Sequence, residues 1–89
     1  EASGRAIAFH DCSGPVTLTV STHLALSAPN IWEQEFTRAF YYGWYHKLLD
    51  QLPPITKGFI TTPQGPGLGV SLAEGLENRK DAISKITRI

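Results

Sequence analysis

Methionine is absent from these 89 residues, cysteine occurs once, and neither sign of charge is in excess, with 8 Lys plus Arg against 8 Asp plus Glu. A lone Cys12 excludes an internal disulfide, which suits a reducing compartment better than a secreted, stapled scaffold, so a cytoplasmic protein is expected. Balanced charge removes the field that would collect nucleic acid or anionic lipid, so neither a nucleic acid nor a membrane is expected as a partner. No apolar run approaches the roughly 20 residues needed to span a bilayer, and the N-terminus lacks a charged-then-apolar signal pattern. The missing initiator Met, with a strand-like stretch a few residues in, leads us to expect a piece of a longer polypeptide.

What the chain does have is a histidine in a telling place. His10 follows the short apolar run Ala6-Ile7-Ala8-Phe9 and opens a polar turn, Asp11-Cys12-Ser13-Gly14-Pro15. Asn30-Ile31-Trp32-Glu33-Gln34-Glu35 is a second extended-looking stretch, and it ends in a carboxylate. Two strand ends bearing an imidazole and a carboxylate, separated by enough chain to cross back, describe neighbouring strands of a parallel α/β barrel. A complete barrel takes about 250 residues, so this chain would hold only part of one.

Between them, Pro15 to Ala28 reads two ways. Val16, Leu18, Val20, Leu24 and Leu26 mostly alternate with polar residues, as in a strand. Ser13 as a cap, Pro15 in a first turn and the spacing Val16, Val20, Leu24, Ser27 indicate a helix closed by Pro29, and a helix is the reading adopted. Phe36, Phe40, Trp44 and Leu48 fall four apart, which predicts a second helix over 36–52, weakened at Gly43. Phe40-Tyr41-Tyr42-Gly43-Trp44-Tyr45 holds more than half of the aromatic residues and is expected to pack in a core or interface. Pro53-Pro54 ends that helix. Ile55 to Thr62 reads as extended with a turn or bulge at Gly58, Pro63 to Gly69 as a tight loop lacking any phosphate-binding pattern, Val70 to Leu72 as a short strand, and the charged end as solvated.

A lone histidine at a strand end is most simply a polar turn residue satisfied by backbone groups, and Glu35 alone is equally unremarkable; together they raise a site without naming a reaction. His10, Asp11, Cys12 and His23 match no zinc-ligand spacing. Cys12 has no activating pair that its spacing supports and is expected to be a small packed thiol.

The ordered motifs Ala8-Phe9-His10-Asp11-Cys12-Ser13-Gly14-Pro15-Val16, His23-Leu24-Ala25, Ala28-Pro29-Asn30 with Gln34-Glu35, the Tyr41–Tyr45 block and Gly65-Pro66-Gly67-Leu68-Gly69 cover nearly the whole chain. Together they resemble the end of the barrel in the mandelate racemase and muconate lactonizing enzyme family of the enolase superfamily, and within it the acid-sugar dehydratases of the galactonate dehydratase type. The resemblance implies the last two strands of a modified (β/α)8 TIM-type barrel over residues 1–52 and a tail, 53–89, returning toward a capping domain; the N-terminal cap and earlier strands are not in this chain. It implies a Mg2+-dependent reaction: proton abstraction next to a carboxylate, then loss of water. His10 matches the acid or base at the end of the seventh strand, and Glu35 the residue at the end of the eighth that hydrogen-bonds the substrate carboxylate. Glu33 would face the same way, since side chains alternate along a strand, but lies farther from the strand end. Asp11 is a candidate substrate contact. The family's metal-binding carboxylates lie on earlier strands, so no metal ligand is expected here. The implied partners are an acid sugar, the remainder of the same enzyme and, by analogy with relatives, further copies of it. Racemisation or epimerisation by the same pair, and a non-catalytic fragment or module using the aromatic block as a contact surface, are the rival readings.

Overall fold

The computed structural model describes residues 3–88, so the outer limits of the two expected segments, at residues 1 and 89, lie outside it. Strand β1, Ile7–Phe9, is followed by helix α1, Pro15–Ser27, and strand β2, Ile31–Gln34. The two strands pair in parallel, Ile7 opposite Ile31, Ala8 opposite Glu33 and Phe9 opposite Gln34, with one slip of register between Ile7 and Ala8. Backbone bonds from the Ile7 N–H to the Asn30 carbonyl (2.9 Å) and from the Glu35 N–H to the Phe9 carbonyl (2.8 Å) extend the pairing at both ends. The Asn30 side-chain amide adds a bond to the Arg5 carbonyl. This is the expected β-α-β unit; a closed barrel is not formed by these residues.

Helix α1 forms where the helical reading puts it, but turned. Its N-cap is Gly14 with no side-chain cap, so Ser13 does not serve, and Pro15 stands in the first turn, where its missing N–H is not needed. The residues it buries are Pro15, Leu18, Thr19 and Thr22, while Val16, Val20 and Leu24 are about half exposed. Two threonines go inward because each satisfies itself: Thr19 Oγ1 donates to the Pro15 carbonyl and Thr22 Oγ1 to that of Leu18, both at 2.8 Å. Gln34 then docks the strand on the helix, its Nε2 donating to the Leu18 carbonyl at 3.2 Å and its Oε1 lying 3.3 Å from Thr22 Oγ1.

The second helix is shorter than its aromatic spacing predicts. Helix α2 covers only Arg38–Gly43, and after Trp44 the chain tightens into a 3-10 turn, Tyr45–Lys47. Gly43, the weakest helix former of the run, ends it. The tightening swings Tyr45 into the core with Leu18 and Leu49, leaving Tyr42 exposed. Rings of the block pack mainly on one another, Trp44 edge-on to Tyr45 with centroids 4.7 Å apart.

The tail returns to this same body. Strands β3, Ile55–Thr56, and β4, Phe59–Ile60, make a hairpin whose turn residues Lys57 and Gly58 both have positive φ, 51° and 81°, the conformation that a two-residue hairpin loop requires. Leu72 bridges Leu49 in antiparallel fashion, and the expected strand at Val70 to Leu72 reduces to that contact. The 63–69 loop is tied down by Gln51 Nε2, which donates to the Gly69 and Gln64 carbonyls, and by His23 Nε2, 2.8 Å from the Leu68 carbonyl. At Gly69 φ is +79°, and a Cβ would stand 2.7 Å from the Pro63 carbonyl oxygen. Among the described residues no helix is long and apolar enough to cross a membrane.

Among the described residues, a polar pair is buried in the core. Tyr45 Oη donates to Asp11 Oδ2 at 3.2 Å, and both residues are 0 % exposed. Burial, then the neighbouring Asp11 carboxylate, pushes the Tyr45 phenol up to about 12.

Two outcomes follow from this packing. Gly69→Ala should destabilise the protein by at least about 1–2 kcal/mol, the cost of a left-handed non-glycine residue before the clash with Pro63 is counted, measurable by chemical denaturation. Because the Tyr45 phenol titrates higher when folded than when unfolded, its contribution to stability is complete below pH 10 and lost as pH rises toward 12. Denaturation series across that window should show the decline, and Tyr45→Phe should remove this part of it.

Candidate active site

Parallel pairing brings the ends of β1 and β2 out on the same side. His10 is the first residue beyond β1 and Glu35 the first beyond β2. Since the Glu35 N–H bonds the carbonyl of Phe9, the residue preceding His10, the two candidate residues leave the sheet from adjacent backbone positions. Both are exposed. The strands therefore supply rigid origins, while the walls that would enclose a substrate are not made by these residues.

Around His10 the turn sorts its side chains sharply. His10, Cys12 and Ser13 face outward, and Asp11 alone goes in. Cys12 is exposed rather than packed, with its Sγ 3.4 Å from His10 Nε2, because the turn gives its one interior place to Asp11. Asp11 Oδ2 receives the Tyr45 phenol, and Oδ1 is buried without a hydrogen-bond partner among the described residues. Tyr45 is the residue of this neighbourhood that sequence reasoning did not single out: 34 positions separate it from Asp11, and within the aromatic block nothing local distinguishes it from Tyr41 or Tyr42.

On β2, Glu33 is exposed as Glu35 is. Glu33 lines an open groove of about 670 Å3 between β2, α2 and the β3–β4 hairpin. Neither His10 nor Glu35 lines it, and its walls include Trp32 and Phe59, which are 81 % and 76 % exposed. At the strand ends an imidazole and a carboxyl stand on paired backbone, whereas the groove lies beside uncovered apolar side chains. Among the described residues no three His, Cys, Asp or Glu side chains converge to hold a metal ion, so the donor set for Mg2+ is not met by them.

Comparison with known proteins bears on this arrangement. Residues 1–76 match the family described as enolase C-terminal domain-like. The chain is 30% identical over 66 residues to D-xylonate dehydratase of Haloferax volcanii, covering 74% of this chain and 16% of that protein. It is 24% identical over 74 residues to D-gluconate dehydratase of Thermoproteus tenax, covering 83% of this chain and 15% of the relative. It thus spans about a sixth of the length of these relatives. The crystal structure of an enolase of the mandelate racemase subgroup from Agrobacterium tumefaciens superposes with a TM-score of 0.78 at 47% identity, over 86% of this chain and 21% of that one. A strand-helix-strand unit with a histidine and a glutamate at its paired ends, matched over most of its length, belongs to the enolase C-terminal domain-like family, and within the enolase superfamily this chain is similar to the acid-sugar dehydratases.

Proposed function

We propose that this chain is the C-terminal part of a Mg2+-dependent acid-sugar dehydratase, in which β1 and β2 are the last two strands of the barrel and the tail beyond Pro53 extends toward the cap. The observation that carries the reading is the Glu35 N–H bond to the Phe9 carbonyl at 2.8 Å, which holds the residues after both strands in register. A site completed by the rest of the enzyme can thus meet an imidazole and a carboxyl that leave the sheet from adjacent backbone positions.

In this reading His10 moves a proton, either taking it from the carbon next to the substrate carboxylate or delivering it to the departing hydroxyl, so that one water leaves. An imidazole is suited to both, since its ring nitrogens can accept a proton and donate one. The Glu35 carboxyl hydrogen-bonds the substrate carboxylate as negative charge builds there. Preorganised on a strand end, it needs little rearrangement when that charge appears. Mg2+ would be held by residues outside this chain.

The test is the full-length enzyme assayed with Mg2+ on D-xylonate and D-gluconate. His10→Asn should lower kcat by about 10²-fold or more, and Glu35→Gln by about 10²–10³-fold, with the enzyme still folded by circular dichroism. Retention of full dehydration by His10→Asn would overturn the assignment. Solvent deuterium entering next to the carboxylate without loss of water would move the reading to a racemase or epimerase.

A further inference from the structure

The Asp11–Tyr45 pair is not called for by folding alone. A carboxylate taken out of water loses its hydration, and one phenol at 3.2 Å replaces little of it, while Oδ1 has no partner among the described residues. An apolar side chain of similar volume would fill the place without that penalty. The placement of the pair is the informative part. Asp11 directly follows His10, and it is the only side chain of the 10–13 turn that enters the core.

We propose that Asp11 is a positioning residue for His10, acting through a buried clamp to Tyr45. Beyond Phe9 the sheet no longer constrains the chain, and the next regular element begins only at Pro15. In between, a polar turn ending in Gly14 would let the imidazole drift. The clamp fixes that turn to a partner that is itself rigid. Tyr45 lies in the 3-10 turn after α2, its ring held edge-on by Trp44 at 4.7 Å and tilted against Phe40 at 6.2 Å between centroids. The link spans 34 residues and ties the strand that carries His10 to the aromatic block. A displacement of 1 Å at a reacting group costs about 10²-fold in rate, so a single well-placed bond of this kind matters more to turnover than to stability.

The inference rests on the role given to His10 above, and the test separates the two. In the full-length enzyme with D-gluconate or D-xylonate as the probe, Tyr45→Phe keeps the ring and removes only the donor. It should lower kcat about tenfold to a hundredfold with KM within about twofold, and speed amide exchange about tenfold in residues 10–14 but not in the 18–24 stretch of α1. Asp11→Asn keeps an acceptor oxygen and should stay within about threefold of the parent, whereas Asp11→Ala, where it folds, should behave like Tyr45→Phe. Unchanged exchange in the turn of Tyr45→Phe overturns the clamp whatever the activity. Faster exchange with unaltered kcat, while His10→Asn is inactive, overturns the positioning role and leaves a structural bond. An active His10→Asn refutes the catalytic reading instead, and the exchange data then still decide whether the clamp exists.

Discussion

Parallel pairing of β1 with β2 is the constraint on which the other features depend. Strands that run the same way cannot be joined by a tight hairpin, so the chain must travel back along a face of the sheet before it starts again. The 13 residues of α1 make that return, and Gln34 and Thr22 lock the helix to the second strand. Because both strands point the same way, the residues that follow them emerge together, and this sets the backbone positions of His10 and Glu35 side by side. A two-stranded sheet is marginal by itself. This one is supported by α1, while Trp32 on β2 and the Val16–Val20–Leu24 stripe on α1 are apolar side chains left uncovered by this chain.

That uncovered surface accounts for how far the fold can be read from residues. The helical identity of 15–28 was legible from Pro15 at its start and Pro29 past its end, since those residues restrict local backbone whatever lies around them. Its orientation was not. Hydropathy assigns Val16, Val20 and Leu24 to the inside, and the chain buries Thr19 and Thr22 instead, because a threonine hydroxyl bonded to the carbonyl four residues back carries no unmet polar demand inward. The four-residue aromatic spacing overstated α2 for a related reason: it records which side chains seek burial, and a 3-10 turn after Gly43 buries Tyr45 as a longer helix would not.

At the candidate site, His10 and Glu35 were legible because a strand end is a local pattern, and a resemblance spread over the whole chain selected a chemistry for them. Asp11 was legible as a residue but not as a buried one. A carboxylate in a polar turn reads as solvent-facing or substrate-facing, and only the arrival of a phenol from 34 residues away makes the interior tolerable for it. Cys12 reads as packed and is exposed against the imidazole, having yielded the interior to its neighbour.

The amino-acid sequence by itself determined the parallel α/β character, the existence and approximate extent of β1, α1 and β2, and the family, since each rests on local backbone preference or on ordered identity along the chain. Only the tertiary structure decided which face of α1 is buried, where the second helix stops, how the 63–69 loop folds back onto α1, and that Tyr45 reaches Asp11. Those outcomes depend on which distant groups compete for the same interior volume and hydrogen bonds, and that competition is settled only when the elements pack.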